Sequence, residues 1–293
     1  MRCPGHVFCW RTTRFPGGLV MFFLAALLAG RAAALPAVHS LSSVQDLNEI
    51  SASAFADAAI PKAMREGKIP GVVFVVVRGG RVICEKAYGV TDLTSRNPVI
   101  PNRTLFRVAS ISKILTAAAA LQLVHAGRLD LHRNVNDYLA RLHVATTFSQ
   151  PVTLFNLLTH SSGFDECQFG YAARSAAKQL SLRDYLVQHQ PARVRPPGLF
   201  SVYDNYGFAL AGYLVQKASG IPFDSYVRQQ IFDPLGMEHS FFSPDARQQK
   251  AMATGYWLDD GTPRACAQDY VNITPAAGLC STAGDMSEFL VGL

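Results

Sequence analysis

Residues 44–67 place apolar positions at helical spacing and stop at Gly67 with Pro70 beyond, which predicts a first helix. Val72–Val77 and Val82–Tyr88 follow on either side of Gly79-Gly80, the turn chemistry of a two-residue β-hairpin. The first of these strands is apolar on both faces, so it calls for cover on each side and for at least one more strand beside it. From Ser110 the period lengthens to that of helices. They are expected over 110–126, closing at Gly127, then near 152–158, 180–189, 206–218 with a stop at Gly220, and 223–231. A last helical run, 286–293, is expected to be capped by Ser281 and has no C-cap of its own. A hairpin followed by helices predicts an α+β fold whose other strands come later in sequence. The pattern shows no further strand before Leu293, so the C-terminal strands are expected to be missing from the chain.

With 293 residues, 49% of them hydrophobic and 16% charged, the chain is neither disordered nor collagen-like. Its net charge of +6 suggests nucleic acid until it is located. Arg2, Arg11, Arg14 and Arg31 all fall within residues 1–37, which hold no acid. Without those four, the 27 basic and 21 acidic residues leave an excess of only two bases, and nucleic-acid binding loses its support. Three arginines, the apolar run 19–29 and the small residues Ala32 to Ala34 read as a secretory signal peptide over 1–37. The run falls short of the about 20 apolar residues a span requires. The expectation is therefore an exported protein with no permanent membrane span, an N-terminal anchor being the alternative, and a single domain over 38–293. Cys84, Cys167, Cys266 and Cys280 remain in that domain without metal-ligand spacing, and buried free thiols are expected. Asn102 and Asn272 each begin a glycosylation sequon.

The helix at Ser110 carries the chemistry. Apolar residues occupy nearly every face of it, which marks a buried helix, and its one cation is Lys113. Three residues separate Ser110 from Lys113, so both side chains lie on one face. A buried ammonium finds an anionic partner or gives up its proton, and a neutral lysine beside a serine is a general base beside a nucleophile. The spacing alone is common: Ser175 and Lys178 repeat it in a polar stretch where the lysine would stay charged. Ser112 reads as a hydroxyl bonded back to its own helix. Tyr203-Asp204-Asn205 stands between a proline-rich loop and a helix start. Tyr203 and Asn205 read equally as a site loop or as a buried tyrosine and a helix N-cap. A second triplet, Tyr270-Val271-Asn272, lies in an extended stretch. His160 reads as a structural, hydrogen-bonded histidine.

Five blocks occur in order from about Ile50 to the last residue: Phe106–Lys113, Leu157–Gly163, Pro196–Asn205, Pro234–Met237 and Ala277–Met286. In this they resemble the serine β-lactamase-like family of class C β-lactamases, DD-carboxypeptidases and related esterases. The resemblance implies a β-lactamase/transpeptidase-like fold, with an antiparallel sheet built from N- and C-terminal segments and a mainly helical region inserted. It also implies an acyl-serine mechanism on an amide, lactam or ester within a small molecule or peptide, with no metal or organic cofactor. Ser110 would attack, Lys113 would accept its proton, Tyr203 would shuttle the proton and Asn205 would orient substrate; which group is the base is disputed for related enzymes. Two departures stand out. Asp204 replaces the usual serine and could pair with Lys113, keeping it charged. The third motif, Lys or His followed by any residue and Gly, does not occur after Asn205. In the family its strand supplies one oxyanion-hole N–H, a donor whose loss costs about 10² to 10³ in rate. A penicillin-binding sensor that acylates without turnover, and an inactive interaction protein of the same fold, are the alternatives.

Overall fold

The computed structural model describes residues 47–293, so the expected signal peptide lies outside the described residues. Helix α1 (Glu49–Gly67) starts at a reciprocal cap between Asn48 and Ser51 and ends on Lys68 in the left-handed region. The hairpin β1 (Gly71–Arg78) and β2 (Arg81–Gly89) turns through Gly79 and Gly80, whose φ angles of 56° and 70° suit residues without Cβ. Side-chain alternation assigns its two covers. Phe74 meets Phe55 of α1 at 6.3 Å between ring centroids, and Lys86, opposite Phe74, pairs with Asp57 of α1 at 2.5 Å. Val75 and Glu85 point to the opposite face, where Ser287 of the last helix donates to Glu85 at 3.5 Å. Helices thus cover both faces of the apolar strand. The additional strand expected beside it is not found among the described residues, where the sheet stays two-stranded.

Further along, β3 (Phe106–Arg107) leads into a tight 3₁₀ turn over Ala109–Ile111 and then α2 (Ser112–His125). The expected helix start at Ser110 is therefore a turn, and the regular helix begins two residues later. After α3 (Leu154–Leu158) and α4 (Leu182–Gln188) comes α5 (Asn205–Ser219), the most buried element, closed by Gly220 at φ 79°. Leu210 and Leu214 of α5 are fully buried in one core with Leu115 and Leu123 of α2, Leu157 and Leu186. Helix α6 (Phe223–Val227) continues as one wide π turn, Arg228–Phe232, where a single helix is predicted.

The hairpin β4 (Tyr256–Asp259) and β5 (Thr262–Ala265) corrects the expectation of no strands after Ser110. Asp260-Gly261 is its turn, with φ angles of 46° and 75°. Its four-residue strands alternate burial weakly and pair only with each other. Helix α7 (Thr274–Ala277), the short strand β6 (Cys280–Ser281) paired with β3, and α8 (Ala283–Gly292) complete the order. The cap of α8 is Thr282, not Ser281: Ser281 lies in the β3–β6 ladder, and its hydroxyl meets Ser240 at 2.8 Å.

None of Cys84, Cys167, Cys266 and Cys280 is bridged; Cys84 and Cys280 are buried as expected, while Cys167 is half-buried and Cys266 exposed, which corrects the expectation of burial for those two thiols. No helix among the described residues is long and apolar enough to cross a membrane. The arrangement is an α+β fold, as the pattern of a hairpin followed by helices predicts.

Candidate active site

Four separate segments meet at Ser110. The turn that carries it is strained: Ala109 has φ 46°, a left-handed conformation that residues with a Cβ rarely adopt. This turn leaves Ser110 exposed and Ile111 half-buried, while Ser112 and Lys113 are buried. Ser112 is fully buried; its hydroxyl donates to Ala109 O at 2.5 Å and accepts the Leu279 N–H at 3.0 Å. It therefore ties the nucleophile turn to the segment after α7, as its reading as a back-bonded hydroxyl predicts.

Lys113 is 7% exposed and makes three contacts. Its ammonium donates to Asn205 Oδ1 at 2.7 Å and to Ala276 O at 2.8 Å, and lies 3.1 Å from Ser110 Oγ. Burial pulls its pKa down from 10.5 to about 8, against the opposing pull of the Glu166 and Asp204 carboxylates. At pH 7 roughly a tenth of the molecules then carry the neutral amine. That form keeps both N–H bonds, to Asn205 and Ala276, and turns its lone pair toward Ser110 Oγ. The geometry thus leaves one place for the proton that Ser110 gives up.

Tyr203 completes the pair from the other side. Its hydroxyl donates to Ser110 Oγ at 2.5 Å, and its ring lies 4.7 Å from Lys113 Nζ. Burial raises the phenol pKa, the Ser110 contact lowers it and the Glu166 charge raises it further, so Tyr203 rests as a donor. His160 supports the ring at 4.5 Å between centroids. The His160 Nδ1 accepts the Asp204 N–H at 3.0 Å, while burial and the Lys113 charge depress its pKa. A neutral imidazole that accepts at Nδ1 carries its proton on Nε2. This is the structural histidine that the sequence predicts.

Asp204 behaves otherwise than expected. It makes no ion pair with Lys113; it caps α5, accepting the Gly207 N–H at 2.8 Å and the Ser162 hydroxyl at 2.6 Å. The N-cap expected at Asn205 is thus Asp204, and Asn205 opens the helix with both atoms of its amide engaged, Oδ1 by Lys113 and Nδ2 by Glu166, rather than open for a substrate. Burial raises the Asp204 pKa to about 6.

Glu166, which sequence reasoning missed, holds that amide. It accepts the Asn205 Nδ2 at 2.8 Å and the Tyr171 hydroxyl, so Asn205 Oδ1 must face Lys113. The only sequence cue is an acid three residues after the glycine of the His160-Ser161-Ser162-Gly163 turn. The Ala276 carbonyl was equally invisible, because a backbone acceptor leaves no mark on residue type.

The competing candidates fall away from this cluster. Lys178 of the second serine–lysine pair is exposed, and Ser175 only precedes a single 3₁₀ turn. Asn272 is buried, its amide accepting the Leu180 N–H at 2.8 Å and donating to Gly170 O at 2.9 Å, so it is a structural strut. Asn102 of the other sequon is exposed.

Comparison with known proteins places the chain in a family. Residues 56–293 match the family described as Beta-lactamase. A beta-lactamase of Yersinia enterocolitica is 29% identical over 83% of this chain and 60% of its own length. A putative penicillin-binding protein of Bacillus subtilis is 30% identical over 73% of this chain and 52% of its own. Among solved structures, an octameric penicillin-binding protein homologue from Pyrococcus abyssi superposes with a TM-score of 0.69 at 28% identity, covering 82% of this chain and 55% of that one. The chain thus spans about half the length of the curated relatives it matches. A match over most of the sequence, with the serine–lysine–tyrosine cluster in place, makes this chain a member of the beta-lactamase family.

Proposed function

We propose that the protein is a serine hydrolase that forms an acyl-enzyme on Ser110. The observation that carries the reading is one oxygen held by two proton-transfer groups: Ser110 Oγ lies 3.1 Å from Lys113 Nζ and 2.5 Å from Tyr203 OH. Neutral Lys113 takes the Ser110 proton as Oγ attacks the carbonyl carbon, and the carbonyl π pair moves onto oxygen. As the tetrahedral intermediate collapses, the bond to the leaving nitrogen or oxygen breaks. The leaving atom takes the Tyr203 proton, which Lys113 restores. Water then attacks the ester along the same path in reverse, returning Ser110.

Substrates of the amide, lactam or ester class fit this sequence of steps. A class C beta-lactamase, 25% identical with a TM-score of 0.68, and a D-alanine carboxypeptidase from Burkholderia cenocepacia, 29% identical with a TM-score of 0.67, share the fold. A substrate outside the cytoplasm accords with the leader-like residues 1–37, and the protein is proposed to be exported. The test uses a labelled β-lactam and a p-nitrophenyl ester. Wild type and Ser175→Ala are expected to label and to turn over, while Ser110→Ala does neither. Labelling without turnover redirects the reading to a penicillin-binding sensor. Labelling retained in Ser110→Ala, or neither labelling nor ester hydrolysis by wild type, overturns it.

A further inference from the structure

We infer that the cavity beneath the 144–152 loop is a binding site for an oxyanion that presents two acceptor oxygens, a carboxylate or a phosphate, gripped by Arg193. Arg193 is 7% exposed, whereas every other arginine among the described residues reaches solvent at least in part. Its Nη1 donates to Ala145 O at 2.9 Å. Its Nε and Nη2 have no hydrogen-bond partner at all, the only buried side-chain nitrogens or oxygens among the described residues in that position. An unpartnered buried charge is among the costliest things a fold can retain. Here the backbone holds it in place: Val194 N–H donates to Gly163 O at 2.9 Å, Asp165 N–H donates to Ala192 O at 2.8 Å, and Arg193 bridges Phe164.

The two free nitrogens are the informative part. Nε–H and the neighbouring Nη2–H lie side by side in the guanidinium plane, the edge that forms a two-pronged bond with a carboxylate or phosphate. The ring of Phe148, 5.4 Å from Cζ, favours positive charge nearby but offers no in-plane acceptor. Arg193 lines a cavity of about 350 Å³ together with Asn134, Thr146, Thr147, Ser149 and Gln150, and no acid lines it. Hydroxyls and amides around one cation suit the remaining oxygens of a small anion. Residues 144–152 form neither helix nor strand, and Thr146, Thr147, Ser149 and Gln150 among them are exposed. None of the lining residues belongs to the Ser110 cluster, so the inference stands apart from the proposed activity.

The test measures melting temperature and calorimetric binding of the whole chain in phosphate, in acetate and in chloride at matched ionic strength. Phosphate or acetate is expected to bind at one site per chain and to raise the melting temperature saturably by several degrees, an effect lost in Arg193→Gln. A response to acetate alone assigns a carboxylate ligand, and one to phosphate alone assigns a phosphate. Should Arg193→Gln fail to fold, Thr147→Phe leaves the guanidinium in place, fills the cavity and is expected to abolish binding likewise. Phosphate also stabilises proteins by exclusion from their surface. A rise of equal size in the folded variants, or none in wild type, therefore overturns the inference.

Discussion

At the residue scale the site turns on the protonation of Lys113. Desolvation brings its pKa to about 8, and the carboxylates of Glu166 and Asp204 hold it from falling further. In the proposed mechanism the neutral amine is the base, so acylation is expected to rise with pH through about 8 and to level off above it. Glu166→Gln removes one of the charges that favour the ammonium, so this limb is expected to move to lower pH. Gln still presents an oxygen to the Asn205 amide, which limits the loss in maximal rate to about tenfold. A pH profile of β-lactam acylation in the two proteins decides the matter: a limb that stays in place, or moves upward, removes Lys113 as the titrating base. Lys113 and Ser110 were legible in sequence because a lone cation in an apolar helix is a chemical anomaly. Glu166 was not, because an acid in a loop is ordinary until the fold brings it to Asn205 from 39 positions away.

At the scale of elements, the site depends on how the loop before α5 is laid against the turn after α3. Val202 N–H donates to His160 O at 2.7 Å, and Gly198 N–H donates to Ser161 O at 2.8 Å. Gly163 lets the two backbones approach: it has φ 80°, and a Cβ there would stand 2.0 Å from Arg195 O. Gly163→Ala is therefore expected to push the loop, and Tyr203 with it, away from Ser110. The expected result is a fall in turnover of more than tenfold and a stability loss of about 2 kcal/mol or more, from a positive φ and a backbone clash together. Wild-type kinetics and melting temperature in the variant would contradict this packing account. The helices were readable because their caps and stops are local: Gly127 and Gly220 both follow helix ends with positive φ. The two-residue ladder between β3 and β6 was not, since it joins Phe106 to Ser281 and Arg107 to Cys280, far apart in sequence and with no alternation of their own. The Asp260-Gly261 turn was a local signal, but in strands of only four residues the alternation of half-buried Tyr256 and Leu258 with exposed Trp257 and Asp259 is too short to stand out.

For the whole molecule, the buried Asp204 sets an unusual dependence of stability on pH. Most carboxylates gain partners on folding, have depressed pKa values and stabilise the fold as pH rises. Asp204 is 2% exposed, and burial outweighs the Ser162 and Gly207 bonds and the Lys113 charge, raising its pKa from 3.8 to about 6. Between those values the folded chain binds more protons than the unfolded one, so this group's contribution to stability falls as pH rises through the window. At about 1.4 kcal/mol per pKa unit, the decline amounts to roughly 3 kcal/mol by pH 7. Asp204→Asn keeps an oxygen for the Gly207 N–H, and asparagine is as good a helix cap as aspartate. It cannot ionise, so it escapes the decline. The melting temperature of the variant relative to wild type is therefore expected to climb by several degrees between pH 4 and pH 7. A difference that stays constant across that range would mean Asp204 is already ionised in the fold at pH 4, with its two bonds outweighing its burial.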